Sequence, residues 1–142
     1  MIGGQLLDLE GERLTLTLEQ LERIHRATTG ALITAAVRIG GIAAGADAAR
    51  MSALGRYGSS IGLAFQIADD VLDVTSTTDQ LGKTAGRDLA LQKSTYPALL
   101  GVDGAIARAA ALVDDACAAL ESVGILTPAL EHLARYVVRR RS

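Results

Sequence analysis

A chain of 142 residues with a formal net charge of −2 fits one domain, is long enough to bury a core, and gives no general reason to expect a nucleic-acid partner. Hydrophobic residues make up 49% of it and aromatic residues only 3%, a composition that favours packed helices over sheets. Its single cysteine, Cys117, excludes an internal disulfide, and we interpret it as a small buried apolar side chain in a reducing cytoplasm rather than as a nucleophile.

The chain begins with two segments that predict little structure of their own. Residues 1–9 are typical of the last turns of a helix that starts upstream, and residues 10–16 are predicted to be a polar connector. The first ten residues include two acidic side chains and no basic start, which argues against a secretory signal. Thr17, with Gln20 three residues later, then forms a capping box and predicts the start of a helix.

That helix is interrupted at His25–Gly30, where two threonines and a glycine predict a break that exposes backbone groups. We interpret His25 as a hydrogen-bonded structural histidine rather than a ligand. A second helix, from Ala31 to about Gly45, is apolar nearly all round and is therefore expected to be interior. It is too short and too interrupted by Arg38 to favour a membrane span of about 20 residues, so we predict a bundle helix.

The longest predicted helix starts with Asp47 as its cap and runs to about Thr75. Its apolar stripe follows steps of three and four residues: Met51, Leu54, Gly58, Ile61, Phe65, Ala68 and Leu72. Three glycines inside it each cost roughly 1 kcal/mol of helix stability against alanine. Close approach of a neighbouring helix or of a ligand would compensate, and tight helix packing alone is sufficient.

Three carboxylates, Asp69, Asp70 and Asp73, lie inside this apolar run, with Gln66 on the same face. Grouped carboxylates repel and lose hydration when buried, so a core helix rarely carries them. Spacing of three and four residues allows their oxygens to converge one turn apart, as a metal cation requires. Both lysines of the chain, Lys83 and Lys93, follow closely. The combination predicts a site for a metal and a multiply charged anion such as diphosphate.

The lysines fall in residues 76–94, the only long non-periodic segment, which predicts a lid or binding loop. Gly82-Lys83-Thr84 lacks the earlier glycine and preceding strand of a phosphate-binding P-loop, so we reject that interpretation. Two more helices are predicted, one capped by Asp103 with a stripe from Ile106 to Leu120, and one opened by Thr127 and Pro128. The three arginines at the end of the chain complement a helix dipole; the alternative is a cationic tail over an anionic substrate.

The ordered set of Phe65-Gln66-x-x-Asp69-Asp70-x-x-Asp73, Leu81-Gly-Lys83 and Lys93-Ser-Thr-Tyr-Pro97 resembles the trans-prenyltransferases of the polyprenyl synthetase family. The likeness extends to Gly3-Gly-Gln-Leu-Leu-Asp8, to His25–Gly30 and to the Tyr-Val-Val-Arg-Arg ending, so it covers nearly the whole chain. It implies an all-α isoprenoid synthase-type helical bundle and the magnesium-dependent, head-to-tail condensation of isopentenyl diphosphate with an allylic diphosphate.

The resemblance also implies roles for individual residues. Asp69 would be the principal Mg²⁺ ligand, with Asp70 and Asp73 in support. Gln66 and Thr29 would stabilise the developing allylic cation, with Phe65 beside the reacting carbons. The remaining substrate contacts would come from Lys83, on the allylic diphosphate, and from Thr28, Lys93 and Arg140.

Two departures from the family pattern limit this expectation. The family carries a second aspartate-rich motif and isopentenyl-binding basic residues in its N-terminal half, and the chain matches only about the C-terminal half. We therefore expect residues 1–142 to form one partial domain that is inactive alone and that associates with itself or with a complementary N-terminal half. Where the family has a lysine, this chain has Thr28, which supplies a hydroxyl but no charge.

Two alternatives belong to other classes of protein. A short non-catalytic subunit could dock onto a complete synthase, an idea that Thr28 favours and the retained aspartates and lysines oppose. A plain helical interaction module is the third hypothesis, and it predicts no magnesium-dependent binding of diphosphate.

Overall fold

The computed structural model describes residues 16–75 and 94–139, together with the helical backbone of residues 76–81. Every regular element in these ranges is a helix, which confirms the all-α prediction. The helices are, in order, α1 (Leu18–Ala27), α2 (Thr29–Ala43), α3 (Ala48–Leu81), α4 (Tyr96–Glu121) and α5 (Pro128–Arg139). The predicted helical tail at residues 1–9 lies outside the described residues, as does all but the end of the polar connector.

α1 begins and ends where local sequence predicts. The Thr17 side chain accepts a hydrogen bond from the Gln20 N–H, and the Gln20 side chain accepts one from the Thr17 N–H, so both halves of the capping box form. At its end, Thr28 takes a non-helical backbone conformation (φ −102°, ψ −104°) before α2 starts at Thr29. The predicted break between the two helices is confirmed.

The expectation that α2 is interior is wrong. Only Gly30 and Gly41 of this helix are buried, whereas Leu32, Ile39 and Ile42 are 56%, 66% and 68% exposed. The helix packs along α3 through one face, and no other described helix covers its opposite face. A helix that is apolar on every side needs burial on every side, but its own sequence does not determine whether other helices cover it.

α3 is the central helix, and each of the other four helices packs against it. Asp47 caps it as predicted, its Oδ1 atom accepting from the Arg50 N–H at 2.8 Å. The helix continues six residues beyond the predicted end, to Leu81. Because neighbours surround it, its most buried large side chains are Tyr57, Leu63 and Ile67, none of which is in the predicted single stripe.

Two of the three glycines of α3 allow α2 to approach closely. A Cβ atom on Gly58 would lie 2.7 Å from the Cα atom of Thr34, and one on Gly62 would lie 2.6 Å from the Cα atom of Gly30. Both distances are shorter than real Cβ contacts, so the packing needs glycine at these positions. Helix packing, rather than a ligand, accounts for them.

α4 starts earlier than predicted. Thr95 caps it by accepting from the Ala98 N–H at 3.3 Å, Pro97 lies in the first turn, and Gly101 (φ 72°, ψ 163°) then interrupts the helix. Asp103, the predicted cap, therefore lies just beyond a kink and not at the start. Of its predicted stripe, Ile106 is 52% exposed, while the following positions Ala109, Leu112, Val113, Ala116 and Leu120 are buried as predicted.

The C-terminal helix closes the bundle. Thr127 caps α5 as predicted, accepting from the Leu130 N–H at 3.3 Å. The buried Tyr57 hydroxyl of α3 donates to the Leu130 carbonyl at 2.7 Å and ties the two helices together. Cys117 is buried, as predicted, and burial raises the pKa of its thiol.

Among the described helices only α4 is long and apolar enough to cross a membrane by length and composition, with a mean hydropathy of 1.3 over its most apolar stretch. A core helix meets the same criteria, and ten residues of α4 are buried. α4 packs chiefly against α3.

Candidate functional site

The break between α1 and α2 lies against the middle of α3. The close contact of Gly30 with Gly62 sets the distance between the two backbones. One turn farther along α3, the Thr29 hydroxyl donates a 3.4 Å hydrogen bond to Gln66 Oε1. Two residues predicted to act on the same reacting centre, 37 positions apart in sequence, are therefore brought together.

Thr28 is differently placed. Its hydroxyl lies 3.0 Å from the Ile24 carbonyl oxygen and 3.3 Å from that of His25, and its proton is shared between these acceptors at the end of α1. A lysine at this position would carry a charge away from the helix, whereas the threonine hydroxyl caps the helix from which it comes. Binding of substrate by Thr28 remains a prediction.

The three aspartates of α3 occupy three different environments. Asp69 is partly buried, Asp73 is exposed, and Asp70 is buried. The Oδ2 atom of Asp70 accepts a hydrogen bond from the Tyr96 N–H at 3.1 Å, in the first turn of α4. No three acidic, histidine or cysteine side chains of the described residues form a ready metal-binding group, so the predicted convergence of all three carboxylates is not present there.

Asp69 and Asp73 nevertheless suit a magnesium ion. They are four residues apart on one face of α3, and both reach solvent. Mg²⁺ keeps several waters and is commonly held by one or two carboxylates plus the oxygens of a phosphate. A pair of carboxylates at an accessible face fits that requirement, with Asp70 as the residue that anchors α4 beside it.

Tyr96 was quoted within a family motif but was given no role, and its ring contact with His25 was not predicted. The two rings stack with centroids 5.7 Å apart and planes 23° apart, under the site and between α1 and α4. Burial, followed by the Glu22 carboxylate, raises the pKa of Tyr96 above its usual range. His25 is buried, in agreement with its predicted structural role. In the sequence, Tyr96 could be recognised only as part of a Tyr-Pro pair at a helix start. That pattern does not indicate that its ring contacts His25.

The other predicted site residues divide into two groups. Phe65 is partly buried and packs against the core next to Gln66, on the helix that carries the aspartates. Lys83, Lys93 and Arg140 lie outside the described residues, so their roles remain predictions. The described part of the site thus contains the contact of Thr29 on α2 with Gln66 on α3 and, farther along α3, the carboxylates of Asp69 and Asp73.

The fold is that of the all-α isoprenoid synthases. It superposes on a polyprenyl synthase from Caulobacter crescentus CB15, complexed with calcium and isoprenyl diphosphate, with a TM-score of 0.82 and 31% identity over 99% of this chain and 56% of that one. It also superposes on a geranyltransferase from Helicobacter pylori, complexed with magnesium and isoprenyl diphosphate, with a TM-score of 0.72 and 33% identity over 97% of this chain and 45% of the other.

Sequence comparison gives the family. The polyprenyl synthetase model matches residues 1–131, and the chain belongs to that family. It is 51% identical to the farnesyl diphosphate synthase of Escherichia coli (strain K12) over 99% of this chain and 48% of that protein. The chain thus spans about half the length of the curated relatives it matches.

Proposed function

We propose that this chain is the C-terminal half of a trans-prenyltransferase and supplies one carboxylate wall of its diphosphate site. The reaction would be the condensation of isopentenyl diphosphate with an allylic diphosphate to give a longer prenyl diphosphate. The observation that carries the proposal is the contact of Thr29 with Gln66 on the helix that bears Asp69 and Asp73. A relative named farnesyl diphosphate synthase and a neighbour complexed with magnesium and isoprenyl diphosphate support it.

The chemistry requires a leaving group and a stabilised cation. The bond between the allylic carbon and the diphosphate oxygen breaks with its electrons going to diphosphate, the isopentenyl double bond attacks the cation, and a proton is lost. Mg²⁺ held by Asp69 and Asp73 would neutralise charge on the leaving diphosphate. Gln66 Oε1 keeps a second lone pair beyond the one that accepts from Thr29, and it would be directed at the developing positive charge.

The remaining assignments complete this proposal. Lys83, Lys93 and Arg140 would add point charges on the diphosphates, and Phe65 would border the reacting carbons. Thr28 would contribute at most a hydroxyl oxygen, since its proton is directed to α1 carbonyls. We place Asp70 as the weakest of the three metal ligands because its carboxylate already accepts from Tyr96.

The chain alone would be inactive. Asp69 and Asp73 would supply carboxylates from one wall only, and the isopentenyl-binding residues that the family resemblance implies would lie in the part of the relatives that this chain does not match. A complementary N-terminal half, or another copy of the chain, would cover the exposed face of α2. We propose the cytoplasm as its location.

Calorimetric titration of the purified chain with inorganic diphosphate tests the site. We expect a binding event that appears only when magnesium is added and that falls at least tenfold in Asp69→Ala. Asp103→Ala, which removes an exposed carboxylate from α4, is the matched control and should bind like the wild type. Magnesium-dependent binding that survives Asp69→Ala, or that is absent altogether, would refute the assignment and favour the plain interaction module.

An activity assay tests incompleteness separately. Residues 1–142 should not condense isopentenyl and allylic diphosphates, whereas co-expression with a chain matching the N-terminal half of the relatives should restore product. Turnover by the chain alone would contradict the proposal. Thr28 is the residue that favours the alternative of a non-catalytic docking subunit. That alternative predicts no turnover in the co-expressed pair.

A further inference from the structure

A concave surface, separate from the carboxylate site, lies between the α1–α2 pair and the first half of α3. It is an open groove of about 880 Å³, a size typical of small-molecule sites. Three arginines line it, Arg26, Arg38 and Arg56, against one carboxylate, that of Asp115. Its formal charge is therefore +2, in a chain whose net charge is −2.

Two of these arginines extend across to the same face of α3. Arg26 Nη1 donates a 2.6 Å hydrogen bond to Ser59 Oγ. Arg38 Nη1 lies 4.0 Å from the position that a Cβ atom on Gly55 would occupy. Gly55 and Ser59 are one helical turn apart, roughly 6 Å along the axis of α3, so guanidinium groups from two different helices reach neighbouring turns of α3.

The groove holds more positive charge than its own residues neutralise. Arg26 pairs with Glu22 at 3.6 Å, but neither Arg38 nor Arg56 forms an ion pair with any residue in the described ranges. Like charges that converge without counter-charges repel, and an anion between them removes the repulsion. The groove wall thus presents two planar guanidinium forks, which match the geometry of phosphate oxygens.

The rest of the lining indicates which kind of anion fits. Serine hydroxyls at positions 52, 59 and 60 supply neutral donors beside the arginines. No aromatic side chain is among the described lining residues, so the groove offers no stacking surface for a nucleobase. This lining suits a compact inorganic or aliphatic phosphate better than a nucleotide.

We propose that this groove binds a small anion with two or more negative charges, of the diphosphate class, directly through Arg38, Arg56 and Arg26 and without a metal. It is separate from the carboxylate site, because Asp69 lies ten residues beyond Ser59, roughly 15 Å along α3. The two sites use opposite means of binding phosphate: cationic side chains in one, carboxylates with a metal in the other.

The test titrates inorganic diphosphate into the full chain in excess EDTA, where the carboxylate site has no Mg²⁺. We expect one binding event that weakens with added salt and becomes at least tenfold weaker in the double variant Arg38→Gln/Arg56→Gln. Both side chains are exposed, so the fold should survive, and helical circular dichroism checks this. Asp69→Ala should bind in EDTA like the wild type, which separates this site from the proposed catalytic one.

Arg23→Gln is the matched control, an exposed arginine of α1 outside the groove. Equal weakening in this control would attribute binding to net charge and overturn the proposal. No binding in EDTA, or binding unchanged in the double variant, would overturn it too. Binding of heparin or nucleic acid with none of diphosphate would reassign the groove to polyanionic macromolecules and equally refute the small-anion site.

Discussion

The Oδ2 atom of Asp70 lies 3.1 Å from the backbone nitrogen of Tyr96, and this hydrogen bond joins the carboxylate helix to the start of α4. Both residues are buried, and Tyr96 in turn stacks on His25 of α1. Asp70 therefore has a buried structural partner in α4, whereas Asp69 is partly buried and Asp73 is exposed. Stability and binding should consequently depend on different members of the same motif.

We predict that Asp70→Ala lowers the free energy of unfolding by about 1–3 kcal/mol, because it leaves a buried N–H without its acceptor. Asp70→Asn keeps an acceptor oxygen in place and should cost less. Asp73→Ala is the control, and as a change at an exposed position it should stay within about 0.5 kcal/mol of the wild type. Urea denaturation of the three variants measures these differences, and equal losses for Asp70→Ala and Asp73→Ala would contradict the structural role.

The contact of Gly62 with Gly30 leads to a second prediction. Gly62→Ala places a methyl group 2.6 Å from backbone and should destabilise the chain by about 1–3 kcal/mol through overpacking. Gly40→Ala is the matched control, since it lies inside α2 with nothing within 4 Å of the added Cβ, and it should stabilise by roughly 0.5–1 kcal/mol. Thermal unfolding followed by circular dichroism should shift in opposite directions for the two variants.

The result for Gly62→Ala also concerns the candidate site, because Gly62 sets the distance between α2 and α3 next to Thr29 and Gln66. If Gly62→Ala proved as stable as the wild type, the close approach of the two backbones would be refuted.

The parts of the fold that sequence predicted depend on contacts between neighbouring residues. Caps at Thr17, Asp47 and Thr127 form because each side chain meets a backbone N–H three residues ahead, and that geometry can be recognised from spacing. The cap of α4 was predicted eight residues late, at Asp103 instead of Thr95, because both side chains are competent caps. Gly101, with its positive φ, interrupts the helix between the two positions, so Asp103 lies just beyond the kink.

The parts that sequence did not predict depend on distant contacts. Asp70 and Tyr96 are 26 residues apart, so helical spacing grouped Asp70 with Asp69 and Asp73 and gave no sign of its backbone partner. The exposure of α2 was missed for a similar reason. An apolar pattern predicts what a helix requires of its surroundings, whereas burial is set by which other elements reach it. Thr29 and Gln66 were named through family resemblance, and their roles remain predictions, whereas their contact spans 37 residues and could not be read from local spacing.

Stability at high pH should depend on Tyr57. Burial, with a smaller effect from Cys117, raises the pKa of this buried phenol from 10 to about 12. Between these values the unfolded chain loses the phenolic proton while the folded chain keeps it, so this contribution is complete below pH 10 and is lost as the pH rises to 12. Tyr57→Phe should show a smaller loss of stability over that range, while Tyr96 continues to contribute.

At neutral pH, Tyr57→Phe should cost about 0.5–1.5 kcal/mol, since the Leu130 carbonyl loses its donor. Tyr136→Phe, at a residue 59% exposed on α5, is the matched control and should follow the wild type at every pH. Urea midpoints at pH 8, 10 and 11 measure both effects. A Tyr57→Phe curve parallel to that of the wild type would show that Tyr57 does not govern the alkaline transition.

The exposed face of α2 should make the isolated chain self-associate. Leu32, Ile39 and Ile42 leave more than half of their surface in solvent on one helix, and exposed apolar surface of this kind drives association. Replacing all three with glutamine should shift the mass measured by light scattering after gel filtration towards that of a monomer, without loss of helical signal. The control replaces Leu133 and Tyr136, exposed apolar residues of α5, with glutamine and should leave the mass unchanged. If the α5 variant becomes monomeric and the α2 variant does not, the association surface is on α5 instead of α2. The proposal that a complementary half covers α2 would then lose its support.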